Sequence, residues 1–168
     1  GERLPTKSKM KVFPNGNILP DLILHIIVHN CGTLMPLELF RQTGGYDVSL
    51  QCGYDYKLAL ELAAGTGFHA IEKPVFLRRR HSTNLSSTNY EKMSLILKIL
   101  NEFLEKHPDV RGKYDAVIRK RFAALHGKLA REAKKELLPR TTVRRHLKAA
   151  LHEAFSLKSL YRYLTSFL

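Results

Sequence analysis

The sequence predicts a mixed α/β fold in its first half and a helical tail in its second. Three observations carry this expectation. β-branched residues and leucines crowd the stretch DLILHIIVHNCGTLM at 21–35. Two apolar stretches, Phe68 to Ile71 and Val75 to Arg80, are split by Lys73-Pro74 and read as extended segments. Beyond residue 89, apolar side chains recur at helical spacing nearly to the end of the chain.

Taken in order, residues 1–19 carry Pro5, Pro14, Gly16 and Asn17 among lysines without a sustained period, so an irregular lead-in is expected. The 21–35 stretch reads as a short helix or loop followed by a buried strand near 31–35, with helix and strand both open over Ile26-Ile27-Val28. Pro36 followed by Leu37, Glu38, Leu39 and Phe40 fits a short helix with proline in its first turn, stopped by Gly44-Gly45. From Asp55 to Ala64, Leu58, Ala59, Leu62 and Ala63 fall at helical spacing, and Gly65 and Gly67 close the segment. After the polar HSTNLSSTN stretch, Tyr90 to Lys106 places Met93, Ile96, Leu97, Leu100 and Leu104 on one stripe up to the break at Pro108. A longer Lys/Arg-rich helix is expected from Tyr114 to Leu138, ended by Pro139. Val143, Leu147, Ala150, Leu151 and Ala154 make a further amphipathic face, after which Ser156 caps a last helix running towards Leu168.

The 168 residues, 44% of them hydrophobic, are enough to bury one ordinary core. The net charge of +13 rules out a neutral or acidic surface and invites anionic partners. It is unevenly placed: residues 1–88 hold ten basic and seven acidic side chains, residues 89–168 eighteen and eight. Two cysteines, Cys31 and Cys52, allow at most one bridge, which fits a reducing cytosol better than a disulfide scaffold. The apolar run Leu22 to Val28 is far shorter than the roughly 20 residues of a spanning helix, so a soluble or peripheral cytoplasmic protein is expected. A start at Gly1 with a polar, lysine-bearing lead-in predicts a piece of a longer protein.

The residues that suggest chemistry lie at 44–63 and 78–86. Gly53-Tyr54 delivers Asp55 to the mouth of a helix, where an aspartate has an ordinary role as a cap worth about 1 kcal/mol. The alternative is a general base at a cleft edge, kept anionic by the helix N-terminus. Arg78 and Arg80 share one face of the extended segment by its period of two. They suit either the edge of a strand that resists aggregation or a diphosphate contact. His25, His29 and Cys31 lack a second ligand pair at a zinc spacing and read as ordinary buried or cleft-lining residues.

The order Thr33-Leu34-Met35, Phe40, Gly44-Gly45-Tyr46-Asp47, Gly53-Tyr54-Asp55-Tyr56-Lys57-Leu58, Arg80-His81 and Asn84-Leu85-Ser86 resembles the C-terminal half of the family 2 glycosyltransferases with the GT-A fold. The likeness spans roughly residues 19–90, and the order of its pieces is as diagnostic as their letters. It implies an inverting enzyme that moves a sugar from a nucleotide-sugar donor to the hydroxyl of a sugar or lipid-linked acceptor, in cell-surface polysaccharide or glycolipid assembly. It further implies Asp55 as the catalytic base, Tyr54, Arg78 and Arg80 at the substrates, and His81 near a Mn²⁺ or Mg²⁺ ion. Tyr54 and Lys57 stand where the family often has acidic residues. The nucleotide-binding half and any Asp-x-Asp triplet are absent from the sequence, so residues 1–88 would be the acceptor-side portion of a GT-A domain, inactive alone, and residues 89–168 a basic helical extension.

The extension carries Arg119-Lys120-Arg121, Lys134-Lys135 and Arg144-Arg145 on helices whose other faces are apolar. Most such runs are solvated faces. An anionic membrane surface is the sharper expectation, with each basic residue near it worth about 1 kcal/mol and Phe155, Tyr161, Tyr163 and Phe167 at headgroup depth. Two readings from other classes remain: a nucleic-acid binder, which lacks zinc-finger pairs, an RNP-like strand and a helix-turn-helix pattern, and a helical module that docks a separate catalytic chain. No specific nucleic acid is expected.

Overall fold

The computed structural model describes residues 14–71, 73, 75 and 89–166. Among them run eight α-helices: α1 (Leu19–Leu24), α2 (Leu37–Gln42), α3 (Tyr54–Gly65), α4 (Tyr90–Lys106), α5 (Pro108–Lys113), α6 (Asp115–Lys135), α7 (Arg140–Glu153) and α8 (Leu157–Thr165). Local chemistry sets most of their ends. The Asn89 side chain caps α4 by accepting the Lys92 N–H at 2.9 Å, and Ser156 caps α8 by accepting the Ser159 N–H at 3.1 Å. Pro108 lacks the N–H a continuing helix needs and opens α5 in its place. At the end of α6 the Leu138 N–H reaches back to the Ala133 carbonyl at 2.9 Å while Leu137 takes a left-handed φ of 55°. That turn stops the helix short of the expected Leu138 and sends α7 back along α6.

One buried cluster joins the helices. Leu22 and Ile23 of α1, Tyr56 and Leu60 of α3, Ile99 and Leu100 of α4, and Ile118 and Leu125 of α6 meet in it. The periodic stripes of the sequence therefore find each other across residue 88, with α6 as the long strut that α1, α4 and α7 all pack against. The C-terminal carbonyl of α1 at Leu24 accepts the Arg121 Nη1 of α6 at 2.7 Å, which places a cation at the negative end of that helix.

The expected mixed α/β fold, and with it the GT-A portion, is overturned: the described residues contain no strand and no sheet. The pairing that does occur is one isolated antiparallel bridge, Gly16 to Phe68, with hydrogen bonds of 2.7 and 2.8 Å. The strand expected near 31–35 is instead a single 3-10 turn over Asn30–Gly32 followed by extended backbone. The physical reason is partnership. A strand exists only where a neighbouring strand takes its N–H and C=O groups, and among the described residues none lies along 33–36 or 69–71, where the Ala70 N–H goes instead to the Asn15 side chain at 2.6 Å, so these segments stay extended without a ladder. The resemblance to family 2 glycosyltransferases falls with the fold it implied.

Candidate functional site

Asp55 is the second residue of α3, not its cap. The N-cap is Gly53, whose φ of 78° is left-handed, and the added Cβ of any other residue there would lie 2.8 Å from the buried Ile99 Cδ1. A glycine at this point lets the loop come down onto α4 and turn directly into α3. Asp55 is half-buried, and its Oδ1 accepts the N–H of Tyr56 at 2.9 Å. Among the described residues it has no ion-pair partner.

The loop before α3 is pinned by a contact that the sequence reading did not find. Asp47 Oδ2 accepts Lys57 Nζ at 2.6 Å, and its Oδ1 accepts both the backbone N–H and the hydroxyl of Ser49 at 3.0 and 2.6 Å. The hydrogen bond from Lys57 holds the Asp47 carboxyl at about 2, well below the usual carboxylate range. Lys57 therefore serves the loop, which accounts for a lysine at that position. The spacing of ten residues with a glycine turn between carries no periodic signal, so the pair was invisible in one dimension.

An aromatic ladder runs to Tyr54, the first residue of α3. The rings of Phe40 and Tyr46 lie edge to face at 5.2 Å, and those of Tyr46 and Tyr54 at 5.6 Å. Tyr46 and Tyr54 remain 39% and 37% exposed, so their rings present apolar surface to solvent at the start of α3. Of the expected site residues, Tyr54 and Asp55 are consecutive as the first two residues of α3. Arg78, Arg80 and His81 lie outside the described residues. No group of three or more His, Cys, Asp or Glu side chains that could hold a metal ion occurs among the described residues. Cys31 and Cys52 are both free thiols.

The second concentration of functional-looking groups is at the C-terminal end. α8 shows two faces. Leu160 and Tyr163 turn towards the body, whereas Leu157, Tyr161 and Leu164, at i, i+4 and i+7, are 78%, 69% and 57% exposed, and Phe155 just before the helix is 69% exposed. Arg144 of α7 fixes the far end of α8 through two hydrogen bonds to the Ser166 carbonyl at 3.2 and 3.1 Å. Of the four aromatic residues expected at headgroup depth, Phe155 and Tyr161 are outward, Tyr163 is half-buried, and Phe167 lies outside the described residues.

Between α4, α6 and α7 lies a part-buried polar relay, also missed from sequence. His146 of α7 contacts the Tyr90 hydroxyl through Nε2 at 3.0 Å and His126 of α6 through Nδ1 at 3.0 Å. Burial, aided by His126 and Arg145, pushes His146 down to about 4, and burial lowers His126 as well. The two histidines sit twenty residues apart on different helices, and only the turn at 136–139 brings them together.

No helix among the described residues is long and apolar enough to cross a membrane. No family model, no curated protein and no solved structure matches the chain.

Proposed function

We propose that this chain is a basic helical module that attaches peripherally to an anionic membrane surface through α8. The observation that supports it is the apolar stripe of Leu157, Tyr161 and Leu164, with Phe155 just before it, left open to solvent on a helix that also carries Arg162 and packs on the basic α7. A helix of this kind lies in the interface plane, with leucines and aromatic rings among the acyl-chain ends and cations among the headgroups. Burying a leucine contributes roughly 1.5–3 kcal/mol and each nearby cation about 1 kcal/mol, so a short stripe with a few charges suffices for reversible attachment. Sedimentation with vesicles tests this. The chain is expected to pellet with phosphatidylserine-containing vesicles and to be released at high salt, and Leu157→Ser with Leu164→Ser is expected to weaken partition at least tenfold. Equal partition onto neutral and anionic vesicles would count against it.

A second reading, sugar transfer to an acceptor hydroxyl, is favoured by one specific observation: the exposed Tyr46 and Tyr54 rings lie at the start of α3, whose second residue is Asp55. The C–H face of a pyranose packs on such rings while a hydroxyl reaches the carboxylate, which is the placement a general base needs. In this reading the 168 residues bind acceptor without turning over a nucleotide-sugar. NMR titration with acceptor oligosaccharides is expected to move the amides of Tyr46, Tyr54 and Asp55, with Tyr54→Ala weakening the effect at least tenfold. Absence of saturable shifts at all three would sink it.

A further inference from the structure

Where α6, α7 and α8 meet there is a groove of about 410 Å³ whose floor is apolar and whose rim is cationic. Its α6 wall is built on one stripe, Gly127, Ala130, Arg131 and Lys134, at i, i+3, i+4 and i+7. The α7 wall supplies Val143 and Leu147, and α8 supplies Arg162. Two small residues on α6 leave the depth of the groove. A Cβ added at Gly127 would meet nothing within 4 Å, so the space beside it is open. Glycine inside a helix costs about 1 kcal/mol against alanine, and packing here does not demand it.

The charges of the rim are uncommitted. Arg131, Lys134 and Arg162 are exposed, and none of them pairs with a carboxylate in the described structure, whereas neighbouring Lys135 is held by Glu132 at 2.9 Å. Three cations from two helices converge on one apolar trough, an arrangement that repels itself when empty and is relieved by a group of high negative charge. Guanidinium forks match a phosphate bidentately, and the floor of Ala130, Val143 and Leu147 accepts methylenes rather than water.

We infer that this groove binds the phosphate headgroup of an anionic lipid, with Arg131, Lys134 and Arg162 on the phosphate and the first acyl methylenes along Ala130, Val143 and Leu147. The inference rests on the membrane attachment proposed above and makes α8 both the insertion helix and one wall of a headgroup site. A charge-only surface would take any anion, but this groove selects an anion with an apolar body.

The test uses the 168-residue chain in solution, without vesicles, titrated by calorimetry with monomeric dihexanoyl phosphatidic acid, dihexanoyl phosphatidylcholine and inorganic phosphate. Saturable binding of the phosphatidic acid is expected, with the other two at least tenfold weaker. Arg131→Gln with Lys134→Gln should weaken phosphatidic acid at least tenfold, and Gly127→Leu, whose side chain fills the groove, should abolish its binding with helical content unchanged. Phosphatidic acid binding no tighter than phosphatidylcholine, or insensitive to both variants, would overturn the inference. Inorganic phosphate binding as tightly as the lipid would overturn it too, since the floor would then contribute nothing. The readout is separate from vesicle attachment: Gly127→Leu that still pellets with vesicles but no longer takes monomeric lipid is expected if both readings hold, and loss of vesicle binding alone removes the attachment while leaving the groove.

Discussion

At the residue scale, Gly53 decides more than its size suggests. It combines a left-handed backbone with a close approach to Ile99, so two separate penalties act on any side chain placed there. Gly53→Ala is expected to lower stability by about 2–4 kcal/mol. Gly44→Ala, at a φ of 81° but with nothing within 4 Å, should lower it by about 1 kcal/mol. Urea midpoints of the two variants measure the difference, and equal losses would show that Ile99 yields freely. Arg121 is a second such residue. It is 7% exposed, gives Nη1 to the Leu24 carbonyl, and lies beside the fully buried Tyr56, whose hydroxyl burial pushes up in pKa. An arginine that sequence assigns to a basic run is therefore part of the core, because its long stem lets α6 bury a charge against the end of α1.

At the element scale, the junction of α4, α6 and α7 is held by the Tyr90–His146–His126 relay as well as by apolar packing. Burial holds His146 at about 4, so that ring is neutral at pH 7, and across the 3.0 Å contact with His126 only one of the two Nδ1 atoms can carry the proton. The folded pKa of His146 is depressed, so the unfolded chain takes up the proton first. Stability from this group is fully present above the unfolded value of roughly 6.5 and is lost as pH falls towards 4. The loss is expected to be on the order of 2 kcal/mol. Arg145 acts in the same direction as burial, and Glu153 opposes it at His126. Denaturation at pH 7 and pH 4.5 checks this: the native chain should lose more of its midpoint than His146→Gln, and parallel losses would rule the relay out as the cause. Glu61 makes the matching contact between α3 and the end of α4. Its burial alone would raise its carboxyl, but Lys106 at 2.8 Å and His107 at 3.1 Å outweigh that and keep it below its usual value.

At the scale of the whole molecule, the helical tail was legible and the lack of a sheet among the described residues was not. The helices at 54–65, 90–106, 140–153 and 157–165 follow from stripes, caps and prolines within a turn or two of each end, and α6 follows apart from a stop set by the Leu137 turn. The same sequence reading put a strand near 31–35 and a second pair of extended segments at 68–80, of which the described part pairs through Gly16 and Phe68 alone. That Tyr54 and Asp55 stand at the mouth of a helix was legible from sequence, because a glycine turn before a helix is a local signal. The Asp47–Lys57 pair, the histidine relay and the groove at Gly127 were not, because each joins residues from separate elements. What the sequence by itself determined is the helical periodicity, the breaks and the concentration of positive charge beyond residue 88, since hydrogen bonds within a helix close over four residues. The tertiary structure alone decided that no sheet forms among the described residues, that Arg121 is buried, and that three cations share one apolar trough, because those outcomes depend on which distant segment arrives as a partner.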